Sequence, residues 1–163
     1  MDFRGESLMY EFEVCCDVKR YEVIEPQLKD LWSRQKRPNA LQYPSWLKLQ
    51  YSIYETAEIV IAIASINGKT VCAAPLIKET TDRYMWQLRL PGRDIRLARF
   101  QLRQAEFLGD AILDPTEDLN IQEQFFKSIL GYCRDCDILA FRTVDVGSNL
   151  YRLLSSHLPH YFR

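Results

Sequence analysis

The chain is 163 residues long, 47% hydrophobic and 26% charged, with a formal net charge of −1. Its length allows one domain with a sizeable core. Its near-zero charge excludes a global pull towards nucleic acid or anionic membrane, so any basic patch must be local. The longest apolar run, Ile59–Ala64, is far shorter than a bilayer span. The opening residues MDFRGESLMYEF contain early acids and no apolar leader core. Five cysteines, an odd number without a secretion signal, fit reduced thiols and a cytoplasmic location.

In chain order, Glu11–Val14 alternates polar and apolar residues, and Tyr21–Ile24 is strand-like as well. Pro26 is placed to open a helix carrying Leu28, Leu31 and Trp32, and a break follows at Arg37-Pro38-Asn39. Pro44-Ser45 opens a second helix reaching Ile53. Residues 59–66 (IVIAIASI) read as a strand buried on both faces, and Asn67-Gly68 is a strong hairpin signal, because both residues tolerate positive φ. The return strand runs from Thr70 to about Ile77. Pro75, lacking an N–H, predicts a bulge or a free edge there. A polar turn at Glu79–Arg83 is expected to lead into a third strand, YMWQLRL.

The stretch RLPGRDIRLARFQLRQAEFLG carries Arg89, Arg93, Arg96, Arg99 and Arg103. From Ala98 it has period two, with Ala98, Phe100 and Leu102 on one side and Arg99, Gln101 and Arg103 on the other, the pattern of a half-buried strand with a wet face. Arg93 and Arg96 fall in the preceding loop and are candidate anion contacts. No aromatic platform interleaves with the arginines, which argues against RNA. Leu119–Tyr132 forms an amphipathic helix with Leu119, Phe125, Phe126, Ile129 and Leu130 on or near one face. A strand at Asp137–Phe141 and a final helix opened by Gly147-Ser148-Asn149 complete one α+β domain with a mainly antiparallel sheet.

Other chemical signals are thin. Gly68-Lys69-Thr70 mimics the end of a P-loop, but the required earlier glycine is Ile63, inside a strand. Cys133 and Cys136 form a Cys-x-x-Cys, and His157 and His160 lie downstream, so these four are the candidate zinc set. The spacing is wrong for it, since two residues between the histidines is tighter than usual. A redox role requires a helix N-terminus to lower a thiolate pKa, and this pair sits at a helix C-terminus. Asp110, Asp114, Glu117 and Asp118 are scattered, and no catalytic residue is assigned.

Tyr43-Pro44-Ser45-Trp46-Leu47, then IVIAIASINGKTVCAAPLI, then RFQLRQAEFLGDAILDP, then CRDCDILAFRTV and Ser148-Asn149-Leu150 occur in an order that resembles GNAT-type acetyltransferase-like proteins. The nearest branch is the bacterial two-lobed group that includes cellulose-biosynthesis-associated and FemAB-like acyltransferases. The resemblance spans roughly residues 20–155 and implies a mixed, mainly antiparallel sheet flanked by helices. It also implies that residues 1–163 are one GNAT-like lobe, the N-terminal half of a larger protein.

In that family acyl-CoA is held where backbone N–H groups at a helix N-terminus cradle the pyrophosphate, with the signature Arg/Gln-x-x-Gly-x-Gly/Ala. Gln104–Gly109 does not fit it, nor does any other stretch. Two readings follow. In the first, the chain is a lobe that is not catalytic alone, is completed by a second GNAT-like lobe or another copy of the chain, and has acyl-CoA as cofactor only in the completed protein. In the second, it is a non-enzymatic module binding a protein or small anionic ligand through residues 89–103.

Overall fold

The computed structural model describes residues 10–35, 38–53, 58–141 and 144–157, with residues 41, 52, 83–90, 94, 96–98, 156 and 157 described by backbone alone. In chain order the elements are β1 (Tyr10–Cys15), α1 (Val18–Ser33), a 3₁₀ turn (Ala40–Gln42), α2 (Pro44–Ile53), β2 (Glu58–Ile66), β3 (Lys69–Leu90), β4 (Arg93–Phe107), β5 (Ile112–Leu113), α3 (Leu119–Tyr132), β6 (Ile138–Phe141) and α4 (Asn149–His157). The sheet order is β1-β2-β3-β4-β6, with β5 paired to β3 beyond the end of β4. Every pairing is antiparallel except β4–β6. Among the described residues no helix is long and apolar enough to cross a membrane.

β2 is buried on both faces, as its unbroken apolar run predicts. Ile61, Ile63 and Ala73 pack with Tyr21, Ile24, Leu28 and Leu31 of α1 and Leu47 of α2. Val60, Ala62 and Ala64 pack with Phe125 and Ile129 of α3 on the other side. α1 and α2 therefore cover one face and α3 the other. α4 joins through a smaller cluster of Phe126, Leu150 and Leu154. Asn67 and Gly68 adopt φ of 50° and 76°, as the two-residue turn requires.

Three local expectations are corrected. Tyr21–Ile24 is helical: Asp17 caps α1 by accepting the Arg20 N–H at 2.8 Å, and Tyr21, Ile24, Leu28 and Leu31 form its buried stripe. Pro26 lies inside this helix; both it and Glu22, whose carbonyl loses its partner, are exposed. Glu79–Arg83 is not a turn, because β3 runs on through it in unbroken register with β4, from Leu76↔Phe107 to Leu90↔Arg93. Its β-branched threonines suit an extended chain, and its polarity marks where the ribbon leaves the sheet.

Pro75 lies in an interior strand, opposite Ile61, rather than at an edge. Its carbonyl accepts the Leu108 N–H at 2.9 Å, so its missing donor faces the point where β4 gives way to β5, and only the last, reciprocal bond of that ladder is forgone. The bulge occurs elsewhere. The register shifts between Ala64 and Ser65, leaving Val71 as the extra residue, packed on the same side as Cys72.

Candidate functional site

The expected residues do not converge. Arg93 is exposed and begins β4, so both it and Arg96 belong to the strand rather than to a loop, which is confined to Pro91-Gly92. Arg93, Arg99 and Arg103 share one parity along β4 and are spread over about 33 Å; Arg96 occupies the other parity, and its side chain lies outside the described residues. Arg99 pairs across the strands with Asp82 at 2.5 Å, and Arg103 approaches Asp135 at 3.8 Å. Phe100 is exposed rather than core-facing, because both faces of the ribbon meet water there.

Cys133 caps the C-terminal end of α3, and the Cys136 N–H donates to its carbonyl at 2.9 Å. Burial pushes the Cys133 thiol up to about 11 and raises Cys136 as well, so both stay protonated at neutral pH. His160 and the His157 side chain lie outside the described residues, and among those described no cluster is arranged to hold a metal ion. Lys69 of the P-loop mimic reaches the Asp114 carboxylate at 3.4 Å.

A concavity of about 1000 Å³ opens at the C-terminal ends of the parallel pair β4 and β6. Three separate segments wall it: the α1–α2 connection (Gln35, Asn39, Gln42), the β4–α3 connection (Asp110 to Pro115) and the β6–α4 turn (Val144 to Asn149), with Arg152 at its side. The first two are stitched together. Gln35 Nε2 donates to the carbonyls of Leu31 and Leu113, both at 3.0 Å, and Arg34 ion-pairs with the fully buried Asp114. Thr116 donates to Asp114 from its hydroxyl at 2.7 Å and its amide at 3.1 Å.

Gly109 lets the walls meet. Its φ is +86°, and a Cβ there would lie 2.9 Å from Asn39 Nδ2 and 3.3 Å from Gln42 Cγ. The "LG" and "DP" of the sequence thus build the cavity wall.

The third segment is fastened by amides and carboxylates. Asn149 Nδ2 donates to Gln122 Oε1 at 2.9 Å, and the buried Gln122 Nε2 donates to the Asp114 carbonyl at 3.4 Å. Burial raises the Asp110 carboxyl above its ordinary value, against hydrogen bonds from the Ser148 hydroxyl and the amides of Ala111 and Asp145. Gln42 is 4% exposed, and its side-chain nitrogen has no partner among the described residues. The cavity therefore offers an unsatisfied donor beside two carboxyl groups, Asp110 and Asp145. Sequence reading missed this grouping because the segments lie far apart in the chain; Gly109 beside Asp110 was its one local signal.

At the other end of the β4–α3 connection the first turn of α3 is already occupied. The Asp118 carboxylate accepts the Asn120 N–H at 3.0 Å, and its carbonyl receives the N–H groups of Ile121 at 3.1 Å and Gln122 at 3.4 Å. The Asn120 amide, with smaller help from that of Leu119, holds the Asp118 carboxyl below its usual range. The donors a helix leaves open at its start thus serve one residue of the chain itself.

No family model matches the chain, and no curated protein does. Among solved structures it is similar to a ribosomal-protein-alanine N-acetyltransferase from Brucella melitensis biovar Abortus 2308, at 12% identity and a TM-score of 0.53, covering 91% of this chain and 90% of that one. A possible acetyltransferase from Clostridium difficile 630 matches at 10% identity and a TM-score of 0.55, covering 95% and 92%. The aminoglycoside N-acetyltransferase AAC(6')-Iy, in complex with CoA, matches at 10% and 0.52, covering 93% and 88%. At such identities the likeness is one of architecture. The six-stranded mixed sheet with four flanking helices is the acyl-CoA N-acyltransferase-like fold of the GNAT acetyltransferases.

Proposed function

We propose that the chain is the acceptor-binding lobe of a GNAT-type N-acyltransferase of the two-lobed kind, one that does not hold acyl-CoA by itself. The start of α3 carries this reading. A pyrophosphate needs free N–H groups and positive potential. Here those amides serve Asp118, and Asp110, Asp114, Glu117 and Asp118 put four carboxyl groups in one connection. The residues present do not fit the group. The aminoglycoside acetyltransferase in the comparison was crystallised with CoA; in this reading a second lobe holds the acyl donor for this chain.

The cavity suits an acceptor rich in amines and hydroxyls. Asp110 and Asp145 offer acceptors to an ammonium or hydroxyl, and Gln42 offers a buried donor. The test is a thermal-shift titration of the chain. Acetyl-CoA and free CoA at millimolar concentration are expected to leave the melting temperature unchanged, whereas amino sugars or polyamines raise it. A ligand at a hundred times its Kd stabilises by about 2.7 kcal/mol, so true CoA binding would show as a rise of several degrees and would overturn the proposal.

A further inference from the structure

β3 and β4 continue well past the sheet. Beyond Lys78, which faces Glu58, β3 has no pairing with β2; before Gln104, which faces Ile138, β4 has none with β6. Arg103 still bonds to Asp137 at the start of β6, its carbonyl accepting the Asp137 N–H at 2.7 Å; beyond it, residues 79–90 and 93–102 form a two-stranded ribbon that, among the described residues, has no third strand beside it and turns at Gly92, where φ is 78°. About twelve residues per strand extend roughly 40 Å, comparable to the diameter of the body. The register has no shift from Leu76↔Phe107 to the tip, so the ribbon carries no bulge along its length. An isolated two-stranded hairpin is marginally stable in water and needs a surface to lie on.

Composition indicates which surface. By backbone register Trp86, Leu88, Leu90, Ile95 and Leu97 share one face of the ribbon with Tyr84. Residues 79–103 hold six arginines and three acids, a net +3, which leaves −4 on the rest of a chain whose total is −1. Two arms of the same sign repel, so arm-to-arm pairing is disfavoured, whereas arm against body is attractive. The body has a matching place in the two turns whose residues Pro115 and Asp145 line the cavity, where exposed apolar residues follow acids in the chain: Leu119, 54% exposed, follows Asp118, and Val146, 70% exposed, follows Asp145. Pro115 and Asp145 line the same opening, so these two turns are neighbours.

We infer that the 79–103 ribbon is a dimerisation arm that lies across these acidic, apolar turns of a second copy of this chain, reciprocally in a two-fold dimer. The test is sedimentation of the full chain at low and high salt, beside an arm-trimmed variant. Replacing residues 83–100 with Asn-Gly joins the register pair Asp82 and Gln101 through a two-residue turn. The wild type is expected to be a dimer that weakens about tenfold or more between about 0.05 and 0.5 M salt, and the trimmed chain a folded monomer. If trimming unfolds the domain, Arg93→Glu and Val146→Arg, both at exposed positions, decide, and each is expected to weaken the dimer. A monomeric wild type overturns the inference, including one that binds RNA or vesicles through the arm. A dimer insensitive to trimming, or to both substitutions, overturns it too.

Discussion

Asp110 and Asp114 stand four positions apart in one connection and are driven in opposite directions. Burial pushes the Asp114 carboxyl up, but the Thr116 hydroxyl and amide and the cations of Arg34 and Lys69 outweigh it, leaving the carboxyl below its ordinary value. A depressed carboxyl contributes stability that is present above its unfolded pKa, about 3.9, and lost as pH falls through the folded one. Asp110 is raised, chiefly by burial, so its contribution is present below the unfolded pKa and lost as pH rises through the folded one. Asp114→Asn, which leaves Arg34 only its exposed ion pair with Asp30 at 3.0 Å, is expected to cost about 2 kcal/mol near neutrality and much less near pH 3. Asp110→Asn should show the reverse, its cost growing as pH falls. Urea midpoints of the two variants at each pH check both signs.

Among the elements, β6 is weakly secured. It has four residues, one parallel neighbour and a half-buried Phe141 that stacks on Phe107 with ring centroids 4.4 Å apart and leans on Phe126 at 6.4 Å. Phe141→Ala is expected to cost about 2–3 kcal/mol, below the range for fully buried phenylalanines. Hydrogen exchange should then show faster opening of β6 and α4 while α1 and β2 keep their protection.

Elements were legible in the sequence where their determinants are local. α3 was read to its last residue, because its apolar stripe and the preceding acid-rich turn both lie within it or beside it. α1 was misread at Tyr21–Ile24, since four apolar and polar residues satisfy either period and the arbiter, Asp17, lies outside them. Glu79–Arg83, at the base of the arm, was read as a turn because polar residues inside a strand resemble a loop until the sheet is known to end there. Of the cavity, only Gly109 beside Asp110 left a local sign. Gln42, Asp110 and Asn149 meet only after the sheet has brought three connections to one end of the parallel pair.

For the molecule as a whole, the Asn67-Gly68 turn also fixes an order of events. β2 and β3 close across two residues, and the arm zips from Pro91-Gly92, so these contacts cost little loop entropy. β1 must reach β2 across α1 and α2, and β6 must reach β4 across α3, so the outer strands dock late. The centre of the sheet is then the folding nucleus and its margins are the latch. Gly68→Ala, with a φ of 76° to strain and no neighbour within 4 Å to clash with, should slow refolding with little change in the unfolding rate. Val14→Ala in β1 should leave refolding nearly unchanged and speed unfolding. Stopped-flow chevrons of the two variants separate these limbs. A chain whose edges close last exposes the border of β2 throughout its folding, so crowding at high concentration should penalise the yield of refolding well before it affects the stability of the folded protein.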